Sequence, residues 1–128
     1  MIVAGVGCRK GASAREIRAA ISAALSRAGL RADALDAVAA PAMKSGEAGL
    51  AAAASDLGVP LVLVPQADLE AAGARTMTRS ARVIALMGVP SAAEAAALAA
   101  AGPAGRLVAP RTAVGSATCA LATNGAER

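Results

Sequence analysis

The segment Gly5-Val6-Gly7-Cys8-Arg9-Lys10-Gly11-Ala12-Ser13 gathers three glycines, a thiol and two adjacent cations. Glycines let successive backbone N–H groups approach an anion, and a helix opening at Ser13 would add its positive end. Arg9 can grip a carboxylate with two parallel hydrogen bonds, whereas Lys10 supplies a point charge. Two phosphate-binding signatures are excluded by inspection. The dinucleotide fingerprint G-x-G-x-x-G starting at Gly5 would need glycine where Lys10 stands, and a P-loop would end in Gly-Lys followed by Ser or Thr. The chemistry left to this loop is recognition of a carboxylate-bearing ligand, with Gly7, Arg9, Lys10, Gly11 and Ser13 as contacts and Cys8 as a candidate thiolate nucleophile.

Further candidates lie elsewhere in the chain. Lys44 and Arg111 are cations expected in loops or turns after strands. Glu47 follows Lys44 and Ser45 in a loop and could serve as a general base if buried. Glu94 stands three residues after Ser91, which is the spacing of a helix capping box. Arg15, Arg18, Arg27, Arg75 and Arg82 fall on expected helices or their flanks and read as solvated surface. Methionines such as Met43, Met77 and Met87 are expected to fill gaps in the core, or to offer flat apolar contact to a ligand.

The absences narrow the function further. The chain has no histidine, which removes Ser-His and Cys-His nucleophile pairs, imidazole bases and His-containing metal sets. It also has no Phe, Tyr or Trp to stack on a base, which argues against single-strand nucleic-acid modules. The net charge of +4 rests on 11 Arg and 2 Lys dispersed along the chain rather than on one stripe, a pattern suited to an anionic small molecule. Cys8 and Cys119 match no metal spacing and read as reduced thiols. Neither a metal nor a cofactor is expected. No apolar run is long enough to cross a bilayer and no signal-peptide pattern opens the chain, so a cytoplasmic protein is expected.

At 128 residues the chain has the length of one domain. Ile2–Val6 reads as a short buried strand. A capping box of Ser13 and Glu16 opens a helix whose stripe is Ile17, Ala20, Ile21, Ala24, Leu25 and Ala28, with a stop at Gly29. Leu35–Ala39 is a second strand, ending at Pro41. Ser45 or Gly46 then opens a helix striped by Leu50, Ala53, Ala54 and Leu57 up to Gly58. Leu61–Val64 is a continuous apolar run and reads as a central strand covered on both faces. Ala67–Ala72 forms a short helix, followed by a polar loop. Ser80–Met87 reads as a helix, with Val83–Leu86 equally compatible with a strand. Ser91 and Glu94 start a helix that runs to about Ala101, and Gly102-Pro103 stops it. Leu107–Ala109 and Ala117–Ala122 form an antiparallel hairpin, and residues 124–128 form a flexible tail after a domain of residues 1–123. This order predicts a single-domain three-layer α/β/α sandwich with a mixed sheet and a C-terminal hairpin.

Four segments together resemble a known family. The opening G-V-G-C-R-K-G-x-S, Lys44 with Glu47, Gly49 and Leu50, the run Gly88-Val89-Pro90-Ser91-Ala92-Ala93-Glu94-Ala95-Ala96-Ala97-Leu98, and the closing Pro110-Arg111 with Thr118-Cys119-Ala120-Leu121-Ala122 are similar to the cobalamin-biosynthesis family comprising CobE and the C-terminal domain of CbiG. The matches run from residue 5 to residue 122. The family often has lysine where this chain has Arg111, which keeps the charge but changes its geometry.

The resemblance implies a protein that handles a carboxylate-rich corrin-ring (precorrin) intermediate, as a carrier or accessory protein of the aerobic route. Its ligand residues would be Gly7, Cys8, Arg9, Lys10, Gly11, Ser13, Lys44, Glu47, Ser91, Glu94 and Arg111. The alternative is an enzyme acting on a precorrin, such as ring-A lactone opening as associated with CbiG, with Glu47 or Cys8 at its centre. A third reading is a scaffold for other cobalamin-biosynthesis enzymes. Nucleic-acid and membrane partners are not expected, and the alanine-rich helix faces would suit packing into a homodimer.

Overall fold

The computed structural model describes residues 1–76 and 91–124; for Ala109 and Pro110 the backbone alone is described. Among the described residues five strands, β1 (Ile2–Cys8), β2 (Leu35–Pro41), β3 (Leu61–Val64), β4 (Arg106–Val114) and β5 (Ala117–Thr123), form one sheet in the order β3-β2-β1-β5-β4. β1 pairs parallel with β2, and β2 with β3, while β5 runs antiparallel to both β1 and β4. The sheet is mixed and the hairpin antiparallel, as expected. Helices α1 (Ala14–Arg27) and α2 (Ala48–Leu57) cover one face; α3 (Gln66–Ala72) and α4 (Ala92–Ala101) cover the other.

Each layer owes its position to small residues. Along β1 the side chains alternate, with Ala4 and Val6 entering the core under α1 and Val3 entering the core under α4. Gly5 lies on the α4 side, where a Cβ would overlap the carbonyl oxygen of Ala93. α4 is alanine-rich and buried over Ala93–Leu98, so it settles directly on the strand backbone. A chain without aromatic rings fills its interior by such close approach, with Ile17, Ile21, Leu50, Leu69, Leu98 and Leu121 among its largest fully buried side chains.

Local signals set the helix ends. Ser13 Oγ accepts the Glu16 N–H at 3.1 Å and the Glu16 carboxylate accepts the Ser13 N–H at 3.3 Å, completing the expected capping box. The stripe Ile17, Ala20, Ile21, Ala24 and Leu25 is buried as expected, and Gly29 and Gly58 take the left-handed conformations (φ +72° and +71°) that follow a helix end. α2 begins later than expected: Ala42–Lys44 forms a 3-10 turn and Glu47, rather than Ser45 or Gly46, is the N-cap.

Two strands differ from expectation. Among the described residues only β2 pairs with β3, and Val62 and Leu63 are 38% and 39% exposed rather than covered. β4 runs through Pro110 and Arg111, where register shifts between Leu107 and Ala109 and between Ala109 and Thr112 absorb the irregularity; the turn is confined to Gly115 and Ser116. Arg111 therefore sits inside a strand rather than in a turn. The expected element at Ser80–Met87 lies outside the described residues, as do Arg82, Met77, Met87 and residues 125–128. Asn124 accepts a hydrogen bond from the N-terminal amine at 3.4 Å. No helix among the described residues is long and apolar enough to cross a membrane.

Candidate functional site

Parallel strands followed by helices bring the ends of β1 and β2 and the starts of α1 and α2 to one edge of the sheet. α4 adds its own start there, because Ala92 and Ala93 lie within 4 Å of where a Cβ on Gly7 would stand. The hairpin closes the edge, with Cys8 paired opposite Ala117. The segments singled out in the sequence therefore converge, although they are separated by up to a hundred residues. Positive helix ends face this edge and favour anions.

The loop after β1 is tied on three sides. Arg9 N–H donates to the Ser116 carbonyl at 3.0 Å, fastening the loop to the hairpin turn. Thr118 Oγ1 donates to the Gly7 carbonyl at 3.2 Å. Gly11, at φ +80°, donates its N–H to Glu47 Oε1 at 2.8 Å. The resulting loop displays the Arg9 and Lys10 side chains to solvent. Lys44, partly buried, ends the 3-10 turn after β2, and exposed Met43 (58%) stands next to it. Met43 thus fills no core gap. Among the described residues, none of Arg9, Lys10 and Lys44 has a carboxylate within ion-pair distance.

Cys8 is partly buried at the end of β1. Burial pushes its thiol up, Lys44 pulls it down and Glu47 pushes it up, and burial outweighs the others. Burial thus works against an activated thiolate at this position. Cys119 is fully buried and pushed up to about 12 by desolvation.

Ser13 is engaged as the N-cap of α1. Ser91 and Glu94 are both 0% exposed. Ser91 Oγ accepts the Glu94 N–H at 3.3 Å, and Glu94 Oε2 accepts the Arg111 N–H at 3.2 Å, so Glu94 also links α4 to β4. Arg27 and Arg75 are exposed, as expected of solvated surface, and each also makes a hydrogen bond. Arg27 Nη1 donates to Thr112 Oγ1 at 2.8 Å, and Arg75 Nη1 donates to the Gly105 carbonyl at 2.8 Å. Arg18 pairs with Asp56 at 3.5 Å across α1 and α2, with both side chains about half exposed. Sequence reasoning missed Ser116 and Thr118 as supports of the β1 loop, since no local spacing links them to it. Among the described residues no cluster of His, Cys, Asp or Glu could hold a metal ion. A groove of 370 Å³, floored by Ile21, Leu25, Leu30 and Leu57, lies on the α1–α2 face and contains none of the candidate ligand residues.

A family model described as Cobalamin synthesis G C-terminus matches residues 2–122. Protein CobE of Sinorhizobium sp is 35% identical over 121 residues, which span 94% of this chain and 79% of that protein. The crystal structure of CobE, described as a protein from the cobalamin (vitamin B12) biosynthetic pathway, superposes with a TM-score of 0.89 at 34% identity, covering 95% of this chain and 89% of that one. The crystal structure of cobalamin biosynthesis protein chiG from Agrobacterium tumefaciens str. C58 gives a TM-score of 0.78 at 45% identity, covering 98% of this chain and 99% of that one.

Proposed function

The chain belongs to the cobalamin synthesis G C-terminus family and is a cobalamin biosynthesis protein, and from this premise we propose that it binds a carboxylate-rich corrin-ring intermediate as a carrier or accessory protein. The observation that carries the reading is the trio Arg9, Lys10 and Lys44 on two neighbouring loops at one sheet edge, none with an acidic partner among the described residues. A macrocycle fringed with carboxylates meets such cations at several points at once. Each charge-assisted hydrogen bond contributes about 1.5–3 kcal/mol when partly desolvated, so three or four offset the cost of association and support micromolar binding. Exposed Met43 offers an apolar thioether beside Lys44 for the face of the ring.

Binding is favoured over catalysis by the state of the two candidate catalytic groups. The Cys8 thiol is held above its ordinary value, and the Glu47 carboxylate is engaged with the Gly11 N–H. The chain also offers no histidine to shuttle a proton.

The test is direct because the protein, lacking Trp and Tyr, absorbs almost nothing near 280 nm. A corrin-ring acid with unamidated side chains should co-elute with it in gel filtration as visible colour. Combined replacement of Arg9 and Lys10 by alanine should weaken retention and its dependence on salt. Failure of the wild-type protein to retain any corrin-ring acid, amidated or not, would refute the proposal.

A further inference from the structure

Glu47 is separated by more than thirty residues from the loop it touches, and its carboxylate does not sit where a general base would be free to act. Oε1 accepts the Gly11 N–H at 2.8 Å, at a residue whose φ of +80° only glycine adopts readily. The surrounding backbone also brings the two segments together. A Cβ at Gly49, two residues after Glu47, would overlap the Ala12 carbonyl oxygen, so the start of α2 lies against the end of the β1 loop. On its other side, Glu47 N–H donates to the Lys44 carbonyl at 3.0 Å, which closes the turn carrying Lys44. One residue thus joins the loop bearing Arg9 and Lys10 to the turn bearing Lys44.

We infer that Glu47 is a positioning residue, a latch whose carboxylate on the Gly11 N–H locks the two cation-bearing loops into one anion-binding surface. No ion pair forms between the Glu47 carboxylate and the Lys44 ammonium. The inference rests on the proposed function only for the identity of what the surface binds; the latch itself is a property of the chain alone. It also separates two uses of a carboxylate that activity assays confuse. A general base needs the acidic oxygen and is destroyed by Glu47→Gln, whereas a latch needs only an acceptor for an N–H, which the glutamine side chain retains.

Hydrogen exchange over residues 8–14 and retention of an unamidated corrin-ring acid, measured in wild type, Glu47→Gln and Glu47→Ala, test this. Glu47→Ala should raise loop exchange by about tenfold and weaken retention by about tenfold, as the loss of a charge-assisted bond predicts. Glu47→Gln should restore both towards wild type. If Glu47→Ala does not fold, Glu47→Gln alone decides: loop exchange like wild type supports the latch, and exchange raised about tenfold overturns it. Unchanged exchange in Glu47→Ala also overturns it. A wild-type protein that shows the exchange pattern and retains no ring acid would sink the proposed ligand and leave the latch standing.

Discussion

Glu16 and Ser116, a hundred residues apart, share one carboxylate: Ser116 Oγ donates to Glu16 Oε1 at 2.9 Å and Ser116 N–H donates to Oε2 at 3.3 Å. The same Glu16 completes the capping box with Ser13, and the Ser116 carbonyl in turn accepts the Arg9 N–H. The Glu16 side chain therefore joins the start of α1 to the hairpin turn, which the backbone of Ser116 ties in turn to the candidate ligand loop.

That junction is sensitive to acid. Hydrogen bonds from Ser116 and Ser13 hold the Glu16 carboxyl below its ordinary value of 4.5. A group whose value is depressed by folding stabilises the fold above its unfolded value, and the contribution disappears as pH falls through the folded one. Exchange at the Ser116 amide, taken relative to its intrinsic rate at each pH, should accordingly be flat above about pH 5 and rise progressively once the pH drops below 4.5. Glu16→Gln should remove that rise; a rise that persists in Glu16→Gln would assign it to another carboxylate.

Close packing of α4 on β1 makes Gly5 intolerant of a side chain. Its Cβ would meet the Ala93 carbonyl oxygen and the backbone nitrogen of Ala97, neither of which can swing aside. Gly5→Ala should destabilise the protein by about 1–3 kcal/mol, the usual cost of overpacking, or prevent folding. Gly46→Ala, where a Cβ meets nothing within 4 Å, should stay within about 0.5 kcal/mol of wild type in chemical denaturation. Equal midpoints for the two variants would show that α4 stands off the strand.

Arg75 closes the far end of the same helix. Its guanidinium donates to the carbonyls of Gly105 and, at 3.5 Å, Gly102, next to the negative end of α4. Arg75→Ala should lower stability by about 1 kcal/mol, and Arg75→Lys, whose ammonium differs in reach and shape from the guanidinium, should recover only part of it. A denaturation midpoint unchanged in Arg75→Ala would mean that the guanidinium is as well satisfied by water.

Which of these features could be read beforehand follows from how local their causes are. The capping box of Ser13 and Glu16, the stripe from Ile17 to Leu25 and the glycine stops at Gly29 and Gly58 each depend on a few neighbouring residues, so spacing reveals them. The burial of β3 depends on strand order. Leu61-Val62-Leu63-Val64 has the composition of a central strand, yet among the described residues only β2 pairs with it. Arg111 was hidden by Pro110, which reads as a break; the strand instead carries it with shifts of register. The cations of the site could be found as loop residues, whereas Ser116, Thr118 and the Gly11–Glu47 bond could not, because only the folded topology brings them to the loop.

The electrostatic unity of Cys8, Lys44 and Glu47 provides a chemical reporter for the site. Burial holds the Cys8 thiol above its ordinary value, opposed by the Lys44 ammonium and assisted by the Glu47 carboxylate. Iodoacetamide should therefore alkylate Cys8 in the native protein more slowly than a free cysteine at the same pH, because only the thiolate reacts. Cys119, fully buried and pushed up to about 12, should react only on unfolding. Removing the ammonium in Lys44→Gln raises the Cys8 value further and should slow alkylation several-fold, whereas Glu47→Gln removes a repelling charge and should speed it. These opposite signs arise only if both charges act on the same sulfur. Equal alkylation rates in the two variants would mean that the turn carrying Lys44 and Glu47 does not face the end of β1.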